Sequence, residues 1–196
     1  IGIFSFSTPK IITTGQGGMI VTNNKQIYER SMALKDFGRK VGIKKEMKKA
    51  FAHSSIGYNF KFTEFQAAVG IAQMKKLEKR IIKKRKMFKK YYDLLSEINQ
   101  INFVYTNLEK TTPWMVEILL QSKTVRNKLI KHLEKRNIGT RIFYPPIHRL
   151  NPYKQSDLKF KITSDIADRG LWLPSSVTLT NNDIQIICNI IKKFFD

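Results

Sequence analysis

Apolar and polar positions change rhythm several times along this chain of 196 residues, and each change marks an element. Residues 1–7 (IGIFSFS) and 18–22 (GMIVT) are short runs rich in strand formers. They flank Thr8-Pro9-Lys10 and a Thr-Thr-Gly-Gln-Gly-Gly turn, so the pattern predicts two strands joined by a polar, hairpin-like segment. Asn23-Asn24 then offers an N-cap for a helix to about Phe37, with Ile27, Met32 and Leu34 as its apolar positions and Gly38 as its stop. Residues 39–53 read as a basic loop. At Thr63-Glu64-Phe65-Gln66 the Thr-x-x-Gln spacing makes a capping box, in which the hydroxyl takes one orphan backbone N–H and the Gln side chain reaches back to another. It is expected to launch one long helix from Glu64 to roughly Leu95.

After Ile98 the texture turns to strand, helix, strand. Residues 101–105 and 114–120 look extended, residues 125–136 helical behind a Thr124 cap, and Gly139 ends that helix before residues 140–144 return as a strand. Thr180-Asn181-Asn182-Asp183 caps a last helix, residues 184–195, whose Ile187, Ile190, Ile191 and Phe194 share one face. The expectation is an α/β chain in two regions, with a boundary inside or just after the long helix and no internal repeat.

Composition narrows the class. With 42% hydrophobic and 11% aromatic residues the chain can build a packed core, which excludes a wholly disordered polycation. No apolar run approaches the roughly 18 residues of a membrane span. The single cysteine, Cys188, excludes an intrachain disulfide framework and fits a reducing compartment, so a cytoplasmic address is expected. The first residue is Ile1, with no basic-then-apolar leader ahead of the folded pattern, and a fragment whose beginning is missing is expected.

The net charge is +21, and residues 74–90 (MKKLEKRIIKKRKMFKK) hold ten basic residues against one acid, Glu78. That segment admits a polyanion-binding reading. The plainer reading is a solvated helix face, because Leu77, Ile81, Phe88, Tyr91 and Leu95 recur at helical spacing and leave the lysines pointing elsewhere. No zinc finger, Gly-rich RNA clamp or aromatic strand motif appears, so neither nucleic acid nor membrane is expected as a partner.

Lys10 has an unusual setting for a lysine here, following a strand of small and aromatic residues and preceding a Gly-rich turn. Held between packed strands it would lose hydration, which favours the neutral amine and opens Schiff-base chemistry; a strand-end lysine that reaches solvent would not. Ser5 and Ser7 alternate with Phe4 and Phe6 and would share a strand face, either to receive a phosphate or to meet water. Gly15, Gly17 and Gly18 suit a tight turn and lack the spacing of a phosphate loop. His53 and His132 read as solvent-facing, and no cluster has metal-ligand spacing.

Together, FSFSTPKIITTGQGGMIVT (4–22), IGYNFKFTEFQAAVGIAQM (56–74), IGTRIFYPPIH (138–148) and RGLWLPSSVTLTNNDIQIICNIIKKFF (169–195) closely resemble, in order, the DegT/DnrJ/EryC1/StrS sugar aminotransferases. The tail looks most like the perosamine-synthase branch, which aminates C4 of a nucleotide-linked 4-keto-6-deoxy sugar for surface polysaccharide such as O-antigen. The resemblance implies the α/β fold of pyridoxal phosphate (PLP)-dependent transferases of fold type I. Residues 1–85 would be the C-terminal portion of the large cofactor-binding domain and residues 86–196 the small C-terminal α/β domain.

The resemblance also implies roles. Lys10 matches the lysine that joins PLP and later moves the proton between substrate and cofactor carbons. Ser5 matches the serine that binds the cofactor phosphate. Asn59 matches an asparagine that reaches the phosphate bound in a neighbouring subunit, which implies a homodimer with a shared active site; read alone, it is a turn residue after Gly57. Arg141, Tyr144 and His148 match the region lining the substrate side, where arginine would hold a nucleotide diphosphate. Glutamate is the implied amino donor, and Lys10 argues against the family's dehydration branch, in which histidine replaces this lysine. The aspartate that pairs with the pyridine nitrogen and the aromatic that stacks on the ring lie upstream of the lysine motif in the family, so the fragment alone is expected to be inactive. Gln16 stands where many relatives have Glu, with little effect expected. The competing readings are a non-catalytic basic module binding an anionic partner through residues 74–90, and an inactive remnant of the enzyme.

Overall fold

The computed structural model describes residues 1–40 and 53–196, so the expected basic loop at 39–53 lies, apart from its ends, outside the described residues. The chain divides into two compact units, Ile1–Glu78 and Lys79–Asp196.

In the first unit β1 (Gly2–Ser5) and β2 (Gly18–Val21) form an antiparallel ribbon with Gly2 opposite Val21 and Ser5 opposite Gly18. α1 (Lys25–Lys35) starts at Asn24, whose side chain accepts from the Ile27 N–H. It ends at Phe37-Gly38, both at positive φ (58° and 76°). α2 (Glu64–Met74) carries the expected capping box between Thr63 and Gln66.

The expected single long helix is two. α2 closes in a tight turn at Lys75-Lys76, where the Lys76 N–H bonds the Gln73 carbonyl, and α3 (Leu77–Leu95) begins afresh. No Gly or Pro marks the break. Its physical sense lies in the change of unit: α2 has no buried residue, whereas α3 buries Met87, Phe88, Tyr91 and Leu95 in the core of the second unit.

The second unit is a four-stranded antiparallel sheet in the order β3 (Ile101–Phe103), β4 (Val116–Leu120), β6 (Gly170–Leu173), β5 (Arg141–Ile142). The strands are shorter than the alternation suggests, and β6 and the helix before it, α5 (Lys161–Arg169), carry no pattern that had marked them. The core joins Ile118, Leu120, Leu171 and Leu173 of the sheet to α3, to Leu129 and Leu133 of α4 (Lys123–Glu134) and to Ile184, Ile187, Cys188 and Ile191 of α6 (Asn181–Phe195). Burial among apolar groups pushes the Cys188 thiol up to about 12, as expected of a packed, inert cysteine. The Thr180–Asp183 capping box launches α6 as expected.

Three local expectations are corrected. Ser122, not Thr124, caps α4, because its Oγ accepts from the Val125 N–H. Asn137, not Gly139, ends that helix: at φ 59° it closes a Schellman turn in which the Ile138 N–H bonds the Leu133 carbonyl and the Asn137 N–H bonds the Glu134 carbonyl. His132 is half-buried rather than solvent-facing, with Nε2 3.2 Å from the Ile190 carbonyl and its ring edge-on to Phe194. His53 stays exposed, with Nδ1 2.8 Å from the Phe37 carbonyl.

The lysines of α3 do not all point away. Lys84 is 5% exposed and donates to the Ser175 carbonyl at 2.7 Å, beside the bond from the Tyr91 hydroxyl to the Pro174 carbonyl. Its phase, three residues after Ile81 and four before Phe88, is the signal that could have marked it. Burial lowers its pKa from 10.5 to about 8. Below pH 8 the ammonium is charged in folded and unfolded chain alike and its desolvation opposes folding in full. Between about pH 8 and 10.5 the unfolded chain holds a proton that the folded chain has released, so stability rises with pH across that window. Urea unfolding of wild type and Lys84→Met at pH 7.5 to 10 is expected to show that rise as a difference between the two; parallel curves would mean the burial is relieved by water. Among the described residues no helix is long and apolar enough to cross a membrane.

Candidate active site

The loop between β1 and β2 presents Lys10, and its geometry follows from threonines and glycines. Thr13 Oγ1 donates to the Phe6 carbonyl (3.0 Å) and accepts from the Gly15 N–H (2.9 Å), and Thr8 Oγ1 donates to the Gly15 carbonyl (2.8 Å). Backbone bonds from Phe6 to Gly17 and from Thr14 to Phe6 (2.9 and 3.0 Å) continue the ribbon into the loop. Gly17, at φ 141°, lies so close to the Phe62 ring that a Cβ there would stand 2.4 Å from it.

The start of α2 holds this loop. Gln66 uses both ends of its amide: Oε1 accepts from the Thr63 N–H in the capping box, and Nε2 donates to the Gln16 carbonyl at 3.1 Å. Thr14 is buried against α2, its methyl 3.2 Å from where a Cβ on Gly70 would stand. Gln16 takes part through its carbonyl, which also receives the Thr14 hydroxyl.

Within that frame Lys10 is half-buried in the turn after β1, its N–H bonded to the Ser7 carbonyl at 3.0 Å. Ser5 and Ser7 do share a side, their hydroxyl oxygens 3.1 Å apart. This places a lysine and two paired hydroxyls on one short, fixed segment.

Asn59 sits elsewhere in the same unit, on the extended segment that crosses the end of α1. It pairs with Asp36 in an isolated antiparallel bridge. Its Oδ1 accepts from Lys61 Nζ at 2.6 Å. Asp36 is buried and takes the Arg39 guanidinium at 2.6 Å. Neither Asp36 nor Lys61 stood out in the sequence; the Asn-x-Lys spacing, which aligns alternate side chains on an extended segment, was the available signal.

In the second unit Arg141 and Tyr144 gather at Trp172. The Arg141 guanidinium lies 5.0 Å from the Tyr144 ring centre and 5.7 Å from that of Trp172, and the two rings meet edge to face at 4.9 Å. Trp172 is 7% exposed, with its indole N–H given to Glu117 at 3.1 Å. The Arg141 side chain is exposed and makes no hydrogen bond or ion pair among the described residues, so its donors are left open above an aromatic platform.

His148 belongs to a different group. It is 6% exposed, stacked on Phe160, with Nε2 2.9 Å from Asp157 Oδ1 and 3.0 Å from Ser164 Oγ. Arg149 binds Asp157 and Asp168, with contacts of 2.8 and 2.7 Å. Arg149, and after it His148 and Ser164, hold the Asp157 carboxyl well below the usual carboxylate range. The network ties His148 and Arg149 to Asp157, Ser164 and Asp168.

The model of the DegT/DnrJ/EryC1/StrS aminotransferase family matches residues 1–192. The chain is 34% identical over 195 residues to the GDP-perosamine synthase of Escherichia coli O157:H7, covering 100% of this chain and 52% of that protein. It is 31% identical over 200 residues to the GDP-perosamine synthase of Vibrio cholerae, covering 100% and 53%. Helicobacter pylori PseC, an aminotransferase of pseudoaminic acid biosynthesis, matches with a TM-score of 0.79 and 25% identity over 98% of this chain and 52% of that one. The chain spans about half the length of the curated relatives it matches.

Proposed function

Because the chain belongs to the DegT/DnrJ/EryC1/StrS aminotransferase family and has the mixed α/β fold of PLP-dependent transferases of fold type I, we propose that the whole protein aminates a nucleotide-linked 4-keto-6-deoxy sugar at C4, with PLP as cofactor and glutamate as amino donor, for surface polysaccharide synthesis. The observation that carries this reading is the β1–β2 loop, whose Lys10 backbone N–H bonds the Ser7 carbonyl and whose Ser5 and Ser7 hydroxyls pair at 3.1 Å, in a chain aligned along its length with GDP-perosamine synthases. The family match weighs against a purely basic binding module, and the apolar face of α3 is buried in a core.

The residues present fit two ends of the cofactor: a lysine on a pinned backbone suits the aldehyde, and two hydroxyls 3.1 Å apart suit the phosphate. When bound, PLP supplies an electron sink for the carbon that bears the amine. Lys10 Nζ would hold the cofactor through its aldehyde and would give and take the proton at the substrate carbon, from a backbone fixed by the bond to the Ser7 carbonyl. Ser5 Oγ, 3.1 Å from Ser7 Oγ, would donate to the phosphate. Asn59 would donate to the phosphate held by a partner subunit in a homodimer. Arg141 offers its open donors to the substrate diphosphate, and Tyr144 with Trp172 fixes its plane. His148 is buried with its Nε2 already engaged by Asp157 and Ser164, so its part is structural support rather than a direct bond to substrate. The acid beside the pyridine nitrogen is assigned to the part of the protein this chain does not span.

The test is to mix the full-length protein with PLP, record its absorbance, reduce with borohydride and map the adduct. One modification, at Lys10, is expected, with amino sugar formed from glutamate and a GDP-linked 4-keto-6-deoxy sugar. An unmodified full-length protein would discard the cofactor; an adduct with turnover only of UDP- or dTDP-linked sugars would keep the chemistry and change the substrate.

A further inference from the structure

The amide of asparagine can present either of two faces, a carbonyl oxygen that accepts or an N–H₂ that donates, and only the second suits a phosphate. At Asn59 the choice is made by a neighbour. Lys61 Nζ stands 2.6 Å from Asn59 Oδ1, and an ammonium can only donate, so the oxygen is taken. The Asn59 nitrogen has no hydrogen-bond partner among the described residues. Lys61 is itself held in two other directions: its Nζ lies 3.6 Å from Oδ1 of the buried Asp36 and 3.9 Å above the centre of the Phe37 ring. Both partners belong to the end of α1, where the Asp36–Asn59 bridge fixes the backbone.

We propose that Lys61 is a positioning residue for Asn59: its ammonium binds the amide oxygen and turns the N–H₂ outward as a donor to the cofactor phosphate held by a partner subunit, an inference that rests on the phosphate-binding reading of Asn59. Lys61 acts through Asn59 rather than as a second phosphate ligand, because its charge already faces Asp36 and Phe37.

Two ligands separate this role from general support of the fold: PLP, which carries the phosphate, and pyridoxal, which does not. Their affinities for the full-length protein are read by absorbance titration for wild type, Asn59→Ala, Lys61→Met and the double variant. Methionine keeps an unbranched apolar stem and removes the ammonium that lies over Phe37. Each single change is expected to weaken PLP binding about tenfold, the effect of losing one charge-assisted hydrogen bond, and to leave pyridoxal binding unchanged. The double variant should bind PLP no more weakly than Asn59→Ala alone. Lys61→Arg, which retains donors, should keep most of the affinity and serves if Lys61→Met does not fold.

If Asn59→Ala weakens PLP binding and Lys61→Met does not, the positioning role fails while the phosphate-binding reading of Asn59 stands. Unchanged PLP binding in Asn59→Ala removes that reading and the inference with it. Losses that multiply in the double variant, or an equal loss of pyridoxal affinity in Lys61→Met, would overturn the inference by giving Lys61 a separate role.

Discussion

Lys10→Ala in the full-length protein is expected to abolish the borohydride-trapped adduct and to lower amination by about 10³-fold or more, while the protein still folds. The size follows from the two jobs assigned to one amine, covalent attachment and proton transfer; positioned general acid–base catalysis alone contributes about 10²–10⁴. Folding should survive because the loop is held by Thr8, Thr13, Thr14 and the backbone pairs of Phe6, none of which uses the lysine side chain. Lys10→Arg sharpens the result. A guanidinium keeps the positive charge but does not give up its proton near neutral pH, so a role in attachment and proton transfer leaves Lys10→Arg as inactive as Lys10→Ala. Substantial turnover by Lys10→Arg would show that charge is all the position supplies, and the proposed mechanism would fall.

What was legible beforehand depended on how local the cause is. Thr63 with Gln66 and Thr180 with Asp183 read directly as helix starts, because a capping box is written within four residues and both form. Lys10 and Ser5 drew notice as a lysine after a strand and as one of two alternating hydroxyls, and their roles came only through the family resemblance; the loop that carries them is shaped by its own threonines and by Gln66 of α2. The break at Lys75-Lys76 escaped because helix propensity runs through it unchanged and only the change of buried surroundings ends α2. β6 escaped for a related reason. Its residues Gly170 to Leu173 are buried on both faces, so the short run shows no alternation. The side-chain pairings around the candidate residues of each unit were the least visible: Trp172 under Arg141 joins residues 31 apart in the chain, and Lys61 reaches both Asn59 and Asp36. Sequence spacing marks which residues are candidates; the pairings that orient them arise only when distant segments cross.

The crossing that presents Asn59 is also where the largest structural effect is expected. Gly57 and Gly38 meet backbone to backbone: a Cβ on Gly57 would stand 2.0 Å from the Gly38 nitrogen and 2.6 Å from the Phe37 carbonyl carbon, and one on Gly38 1.7 Å from the Ser55 oxygen. Both neighbours of Gly57 are main chain, so no rotamer change can make room. The segment cannot simply slide either, since Phe37 donates to the Tyr58 carbonyl at 3.0 Å, Tyr58 to Leu34 at 2.6 Å and Phe60 to Lys35 at 3.0 Å. Gly57→Ala in the full-length protein is therefore expected to cost about 3 kcal/mol in urea unfolding, combining overpacking with at least one lost backbone bond. Because the displaced residues are those on either side of Asn59, PLP affinity should fall in the folded variant as well, and more than pyridoxal affinity. Gly139→Ala is the control: nothing lies within 4 Å of its Cβ position, so it should unfold like the wild type or slightly later. Equal stability of the two variants would mean that the Gly38–Gly57 crossing is looser than its backbone contacts require, and that Asn59 is held by Asp36 and Lys61 alone.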